Sequence, residues 1–395
     1  MKLSVLMFLP QFRPGSITYG IGLNQNGGAE RHAESLAVAL AAAGSRVAIL
    51  TPRYDPDSPT VESVNGVTIE RFPFLDLSYR YPMPGVAVLN IPYIIWQIVR
   101  AVWARRNGVD VLHCHLGSLQ TAAVALAARL IRVPMLCTAG TADERSDLGE
   151  IERTGACGRL IAGLVRATIQ TWVATTLAVE EALIRAGVER RKIVRIPNGV
   201  NLANYLRPCR QSRSVKRFLY LGRLSKNARR DIPGLIKAFD RLAVSFHDVE
   251  LAIVGGGGLF EETRRLAENC VAHDRIRLAG FDRPEKWLAW ADCFVLPSRR
   301  EGLSVALLEA MAAGLPCIAN DIPPNREVLD DGKVGVLVPV ENCDALESAM
   351  HDMVENNSLA RSLALKAQER AERCYSIDSV AARYANLYEF LRARR

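Results

Sequence analysis

Two carboxylates, Glu301 and Glu309, stand with seven residues between them inside the stretch Phe294 to Pro316, FVLPSRREGLSVALLEAMAAGLP. What such acids can do depends on the backbone between them. The apolar run Asp292 to Leu296 reads as a strand that breaks at Pro297, and a polar loop then carries Glu301 and Gly302. Ser304 starts a helix running to about Ala313, which Gly314 and Pro316 stop. A strand feeding a helix through a short glycine-bearing loop presents backbone N–H groups to an anion. The chemistry expected here is an anion held by amides, with an acid on either side.

Further groups of this kind recur at strand ends. After the strand Arg217 to Leu221, the loop from Gly222 to Asp231 carries Arg223, Lys226, Arg229 and Arg230. A Gly-Arg pair at a strand's C-terminal end is where a diphosphate clamp would be built, although a solvated basic loop has the same composition. Gly255 to Gly258 follow the strand Val249 to Val254 with no Lys-Ser/Thr after them, so they read as room for a tight turn and close backbone approach. In the first half, Gly27 and Gly28 open a helix where a phosphate could sit; turns need glycine as often as ligands do. The strand Asp110 to His115 ends on two histidines that alternation puts on one side, one expected to be structural and one functional.

The elements that must hold these groups alternate strand and helix, and the alternation occurs twice. Ala33, Leu36, Ala37, Leu40 and Ala41 mark one helical face after Gly28. The loop Pro10 to Gln25 is longer than a compact α/β connection requires. Ile91 to Arg106, with Tyr93, Trp96 and Trp103, reads as a packed helix with a cationic end; its aromatic face would also suit a membrane surface. Thr141 to Gly158 is charged and aperiodic and reads as a mobile loop, part of an acceptor site or lid, and Asn201 to Ser214 reads as an irregular hinge. The fold class expected is α/β, with an N-terminal Rossmann-like domain over residues 1–205 and a second over 206–375. A C-terminal helix over 376–395 is expected to pack back toward the first domain.

Bulk properties exclude several classes. A chain of 395 residues, 49% apolar, can bury two ordinary cores, and no run of eighteen apolar residues offers a membrane span. The start, MKLSVLMFLPQFRPG, reads as a first strand, because no small-residue cleavage site follows it. Nine cysteines without a C-x-x-C pair suit reduced thiols in a cytoplasmic protein, and six scattered histidines assemble no metal site from sequence neighbours. No cofactor is expected. The net charge of +8 could attract nucleic acid, anionic lipid or a phosphorylated substrate. Without a block of five Lys/Arg or interleaved aromatics, no nucleic-acid partner is expected. A solvated basic surface weakly drawn to anionic lipid remains.

Taken in order, the motifs resemble those of retaining glycosyltransferases of family 4. They are Gly27-Gly28-Ala29-Glu30-Arg31-His32, Ile196-Pro197-Asn198-Gly199-Val200, Gly222-Arg223-Leu224, Pro297-Ser298 and Glu301-Gly302-Leu303 leading to Leu308-Glu309-Ala310-Met311-Ala312-Ala313-Gly314-Leu315-Pro316. The similarity covers essentially the whole chain, and its last motif is the most specific. It implies the GT-B fold, two facing doubly wound parallel-sheet domains with a cleft between them, which must close for catalysis. It implies transfer of a hexose-type sugar from a UDP- or GDP-linked donor to a glycan, lipid-linked or small-molecule acceptor without a metal. Glu309 would take the ribose hydroxyls, and the amides of Gly302, Leu303 and Ser304 the diphosphate or sugar. Arg223 and a second cation would neutralise the leaving diphosphate, and Glu301 would hold sugar hydroxyls. Gly28 would approach the phosphate and His115 the reacting carbon. Departure of the diphosphate develops negative charge, which fixed cations and N–H dipoles stabilise. In a same-face displacement the phosphate takes the acceptor proton, so no protein base is required.

The chain departs from that pattern in places. Where the family has a Lys five residues after the Arg, Ala228 stands; matching Leu235-Ile236-Lys237-Ala238 implies a two-residue insertion that gives the role to Arg230, with Arg229 and Lys226 as alternatives. A histidine common after the Val133 strand is replaced near Gly140, Pro323-Pro324 displaces a glycine before Glu327, and Asn201 stands where Asp is common. Competing readings are a nucleotide-sugar epimerase of the same architecture and a catalytically inactive sugar-binding subunit. A metal-dependent transferase would have to use Asp55-Pro56-Asp57, which matches an Asp-x-Asp site only in its letters.

Overall fold

The computed structural model describes residues 2–10, 28–55, 57–75, 86–115, 119–140, 147–152, 155–205, 214–225 and 230–394. Gly27, Lys226, Arg229 and most of the Pro10 to Gln25 loop lie outside them. The chain forms two compact units. The first takes Ala29–Pro197 and Val380–Arg395 together with the amino-terminal strand, and the second takes Asn198–Ser379.

In unit 1 the strands are β1 (Ser4–Phe8), β2 (Arg46–Arg53), β3 (Val61–Val64), β4 (Val67–Pro73), β5 (Val111–His115), β6 (Met135–Ala139), β7 (Thr171–Ala174) and β8 (Ile193–Arg195). They pair in the order β3-β4-β2-β1-β5-β6-β7-β8. Every pairing is parallel except β3 with β4. All positions of β5, β6 and β7 are buried, as a parallel strand covered on both faces requires. The order reverses between β1 and β5. Connections leaving those two strands therefore diverge and open a crevice at their C-terminal ends.

Unit 2 repeats the device with β9 (Arg217–Leu221), β10 (Glu250–Val254), β11 (Ile276–Gly280), β12 (Cys293–Leu296), β13 (Cys317–Asn320) and β14 (Val336–Val338), in the order β11-β10-β9-β12-β13-β14. Side chains alternate across this sheet. Phe218, Tyr220, Ile253 and Val295 enter one core, packed by the helices Ile232–Ser245 and Cys343–Glu355. Leu219, Leu221, Val254 and Leu296 enter another, packed by the helices Pro284–Trp290, Val305–Ala312 and Asn357–Tyr375. The reversal falls between β9 and β12. Asp292 fixes that pair, accepting from Arg217 Nε at 3.0 Å and Nη2 at 2.9 Å.

Several expectations are corrected. The mobile loop expected over Thr141 to Gly158 contains the helix Asp147–Glu152 and the start of the helix Ala156–Thr168; Leu148 and Ile151 are buried and anchor the first. The irregular hinge expected from Asn201 contains a helical turn, Leu202–Tyr205, closed by a buried tyrosine. The helix expected from Ile91 starts at Val86 and accommodates Pro92. The strand β3 was not foreseen. It pairs with β4 through Asn65 and Gly66, whose φ of 51° and 80° are those of a tight hairpin turn.

Candidate active site

The loop after β12 is held from below by its own helix. Val305–Ala312 is eight residues long, too short to persist alone, yet Leu307, Leu308 and Met311 are completely buried. At roughly 1.5–3 kcal/mol for each such side chain, packing and not propensity fixes this helix. Ser304 caps it, its hydroxyl accepting from the Leu307 amide at 3.4 Å. Gly302, Leu303 and Ser304 are thereby buried at the helix entrance, and Asn198 Nδ2 donates to the Leu303 carbonyl at 3.0 Å.

The loop after β9 is fixed from two sides. Arg230 forms an isolated antiparallel bridge with Ser298, and the Asp231 amide donates to the Pro297 carbonyl at 2.8 Å. On the other side the Gly222 amide donates to the Val254 carbonyl at 3.0 Å, and the Leu224 amide to the Gly256 carbonyl at 2.8 Å. A Cβ on Gly255, whose φ is +142°, would lie 1.9 Å from the Gly222 carbonyl oxygen. The glycine run is thus a backbone seat for the Gly222–Leu224 loop, the close approach expected of it.

This arrangement brings three of the expected residues together. Arg230 Nη2 lies 2.7 Å from Glu301 Oε1, which also accepts from the Ser298 hydroxyl at 2.8 Å. Arg223 and Arg230 line one cavity with Leu224, Ser225, Glu262 and Thr263. Burial works against the Arg230 charge, but the Glu301 carboxylate outweighs it and holds the pKa above the ordinary arginine value. Arg223 and Arg230 thus put two guanidinium groups at one cavity, a combination able to hold an anionic group, and Glu301 balances the charge of Arg230.

Glu309 lies on the helix Val305–Ala312 and is only 3% exposed. Its Oε1 accepts from the Tyr205 hydroxyl at 3.1 Å, a hydroxyl shared with Glu285 Oε1 at 3.2 Å. Sequence reasoning missed Tyr205 because it falls in a stretch without apolar period. Asn198 was named only within the Ile196-Pro197-Asn198-Gly199-Val200 motif, without its bond to the loop carbonyl.

In unit 1 the expected His115 ends β5 at the reversal, with His113 beside it. The rings lie 4.0 Å apart between centroids, and His32, on the helix Gly28–Ala42 that Gly28 opens, is 6.5 Å from His115. All three are buried. Burial first, and then the neighbouring His32, lower the His115 pKa to about 3. Burial, His115 and His32, in that order, lower that of His113. Both are therefore neutral at physiological pH. His113 uses both nitrogens inside the protein, on Tyr388 Oη at 2.7 Å and Thr138 Oγ1 at 2.8 Å. His115 Nε2 is buried without a hydrogen-bond partner among the described residues, a state that costs roughly 1–3 kcal/mol until something bonds to it. The two histidines thus differ in that His113 is tied at both nitrogens and His115 is not.

Away from the crevices, the helix Val86–Trp103 both packs and exposes aromatic surface. Ile98 and Val102 are buried, whereas Trp96 and Trp103 are about half exposed, with Arg100 and Arg106 over their rings at 5.4 and 5.1 Å. Among the described residues no helix is long and apolar enough to cross a membrane, and no group of three or more His, Cys, Asp or Glu could hold a metal. Asp55 is occupied as a turn cap, accepting from the Asp57 amide at 3.0 Å and the Ser58 hydroxyl at 3.3 Å.

Residues 27–199 match the family model of the glycosyl transferase 4-like domain, and residues 210–370 that of glycosyl transferases group 1. The phosphatidyl-myo-inositol mannosyltransferase of Mycobacterium leprae is 30% identical over 377 residues, covering 92% of this chain and 93% of its own. That of Mycolicibacterium smegmatis is 29% identical over 377 residues, covering 92% and 90%. Among solved structures, the sucrose-phosphate synthase of Thermosynechococcus elongatus matches over 100% of both chains with a TM-score of 0.79 at 22% identity, a likeness of fold. With two parallel-sheet α/β units in the GT-B fold and both halves matched, the chain belongs to the group 1 glycosyl transferases of family 4 and is a glycosyltransferase.

Proposed function

We propose that this glycosyltransferase moves a hexose-type sugar from a UDP- or GDP-linked donor to a glycan, lipid-linked or small-molecule acceptor, with retention and without a metal. The observation that carries the proposal is that Arg223 and Arg230 line one cavity and that Arg230 pairs with Glu301, the residue before the buried helix entrance Gly302 to Ser304. When the bond from the anomeric carbon to the phosphate oxygen breaks, its electron pair goes to the diphosphate. Cations and N–H dipoles already in place stabilise that charge without reorganisation. Glu301, oriented by Arg230 and Ser298, takes sugar hydroxyls, and Glu309, oriented by Tyr205, takes the ribose side. A departing phosphate oxygen accepts the acceptor's proton as the new bond forms on the same face. The neutral His115 contributes a hydrogen bond rather than a charge.

The mannosyltransferases named above act on phosphatidyl-myo-inositol by their names. For this chain we propose a lipid-linked or glycan acceptor met at the inner face of a membrane. Support comes from the exposed Trp96 and Trp103 with their arginines, and from the net charge of +8. Thermal midpoints measured against UDP-, GDP-, ADP- and TDP-sugars identify the donor, since a ligand of the native state raises the midpoint. The anomeric configuration of the product is then read by NMR in EDTA. Retained configuration with full turnover supports the proposal. An inverted product, activity restored only by manganese, or epimerised donor formed without acceptor overturns it.

A further inference from the structure

His115 is placed by a pile of side chains that begins on the last helix of the chain. The helix Ile377–Ala393 sends Tyr384 and Tyr388, one turn apart and completely buried, into unit 1. Tyr388 Oη meets His113 Nδ1 at 2.7 Å, and Tyr384 Oη meets Thr138 Oγ1 at 3.0 Å, the same hydroxyl that meets His113 Nε2 at 2.8 Å. The Tyr384 ring stacks on His113 at 5.2 Å, and the His115 ring neighbours His113 at 4.0 Å. A neutral imidazole has one donor and one acceptor nitrogen. If Tyr388 donates to Nδ1, then Nε2–H donates to Thr138, and every hydroxyl of this relay finds a partner. Both ring nitrogens of His113 are in either tautomer held inside the protein, which fixes its position and ring plane beside His115.

We infer that Tyr388 and Tyr384 are positioning residues for the transfer reaction, acting through His113 and Thr138 to hold the His115 imidazole at the angle its unpartnered nitrogen requires. The inference rests on His115 being a sugar-facing group, and it gives the C-terminal helix a part in turnover beyond packing. Full burial of two phenols would be served as well by phenylalanine if only packing mattered. The hydroxyls are committed to one histidine and to the threonine that holds its other nitrogen. Small displacements of an orienting group slow turnover out of all proportion to their size.

The test is a double-mutant cycle on the full chain, with the donor identified by thermal shift. His115→Ala is expected to lower kcat by about a hundredfold, and Tyr388→Phe by about tenfold with the donor KM within about twofold. In the double variant, Tyr388→Phe should cost nothing further, because the group it positions is gone. A purely structural hydroxyl would lower the thermal midpoint but keep its own cost beside His115→Ala. Full kcat in Tyr388→Phe, or the same tenfold loss in both backgrounds, overturns the inference while leaving the site reading intact. Full activity in His115→Ala overturns the reading of His115 and this inference with it. Should Tyr388→Phe yield no folded protein, Thr138→Val removes the other anchor of His113 and is read by the same criteria.

Discussion

At the reversal between β9 and β12 Arg230 and Glu301 are ionised and paired, whereas at the reversal between β1 and β5 the histidines are neutral and His113 is held by hydroxyls. Both crevices arise from one topological rule, yet they meet the cost of burying polar atoms in opposite ways. In unit 2 Arg230 keeps its charge because Glu301, itself held by the Ser298 hydroxyl, faces it. In unit 1 His113 and His115 give up theirs, and the hydroxyls of Tyr388 and Thr138 satisfy His113. The difference suits a reaction in which charge develops on one partner only. Under the proposed reaction, cations would serve where a diphosphate leaves, and a neutral imidazole would serve where a sugar hydroxyl is held without competing for that charge.

The contrast can be broken from either side. The largest effect is expected from Arg230→Ala, which should lower kcat/KM by about 10²–10³-fold in steady-state kinetics. It should also lower stability towards the roughly 3–5 kcal/mol seen when one partner of a buried pair is removed, because Glu301 would lose its cation. Arg230→Lys keeps the charge but not the planar fork, and should recover only part of the rate. Equal loss from removing the neutral His115 and the charged Arg230, with equal salt dependence, would erase the distinction drawn between the crevices.

Next in size is a pH effect confined to unit 1. The unfolded chain takes up a histidine proton near pH 6.5, whereas folded His115 resists protonation down to about 3 and His113 is lowered as well. Between those values the unfolded state binds more protons, so stability is complete above about pH 6.5 and falls as the pH drops toward 3. The slope is up to roughly 1.4 kcal/mol per pH unit for each histidine. Calorimetry from pH 7 to 4 should show His115→Gln with a shallower decline than the wild type; parallel curves would mean the histidines are not held neutral.

A smaller effect is expected at Glu309. Tyr205→Phe removes the hydroxyl it accepts from and should cost about 1 kcal/mol, read as a several-fold rise in donor KM with kcat little changed. The smallest lies outside both crevices. Trp96→Ala with Trp103→Ala should weaken sedimentation with anionic vesicles about fivefold while leaving turnover on a soluble acceptor as in the wild type. Unchanged vesicle binding would confine those aromatics to a solvent-exposed role.

What could be read from the sequence followed the range of the signal. The loop between β12 and its helix was legible residue by residue because strand, cap and glycine stop lie within about two dozen consecutive positions. The glycine run after β10 was legible as a close approach, but its object, the carbonyl of Gly222, was not. The hairpin at Asn65-Gly66 carried a usable local signal, and β3 was passed over because Val61–Val64 is short and half exposed. The helix at Asp147–Glu152 hid because only Leu148 and Ile151 mark its face. Tyr388 and His113 are separated by 275 positions, and no pattern of spacing connects them. Arg230 was reachable only through an inferred insertion. The structure sets it against Glu301 and at one cavity with Arg223.

The central claim, that the charged crevice of unit 2 receives a nucleotide diphosphate, is tested most directly by calorimetric titration of UDP and GDP into the wild type, Arg230→Ala and His115→Ala. The account predicts that whichever nucleotide binds loses at least about tenfold in affinity with Arg230→Ala, which is roughly 1.4 kcal/mol, and binds His115→Ala as it binds the wild type. Undiminished binding to Arg230→Ala, or a loss confined to His115→Ala, would contradict it.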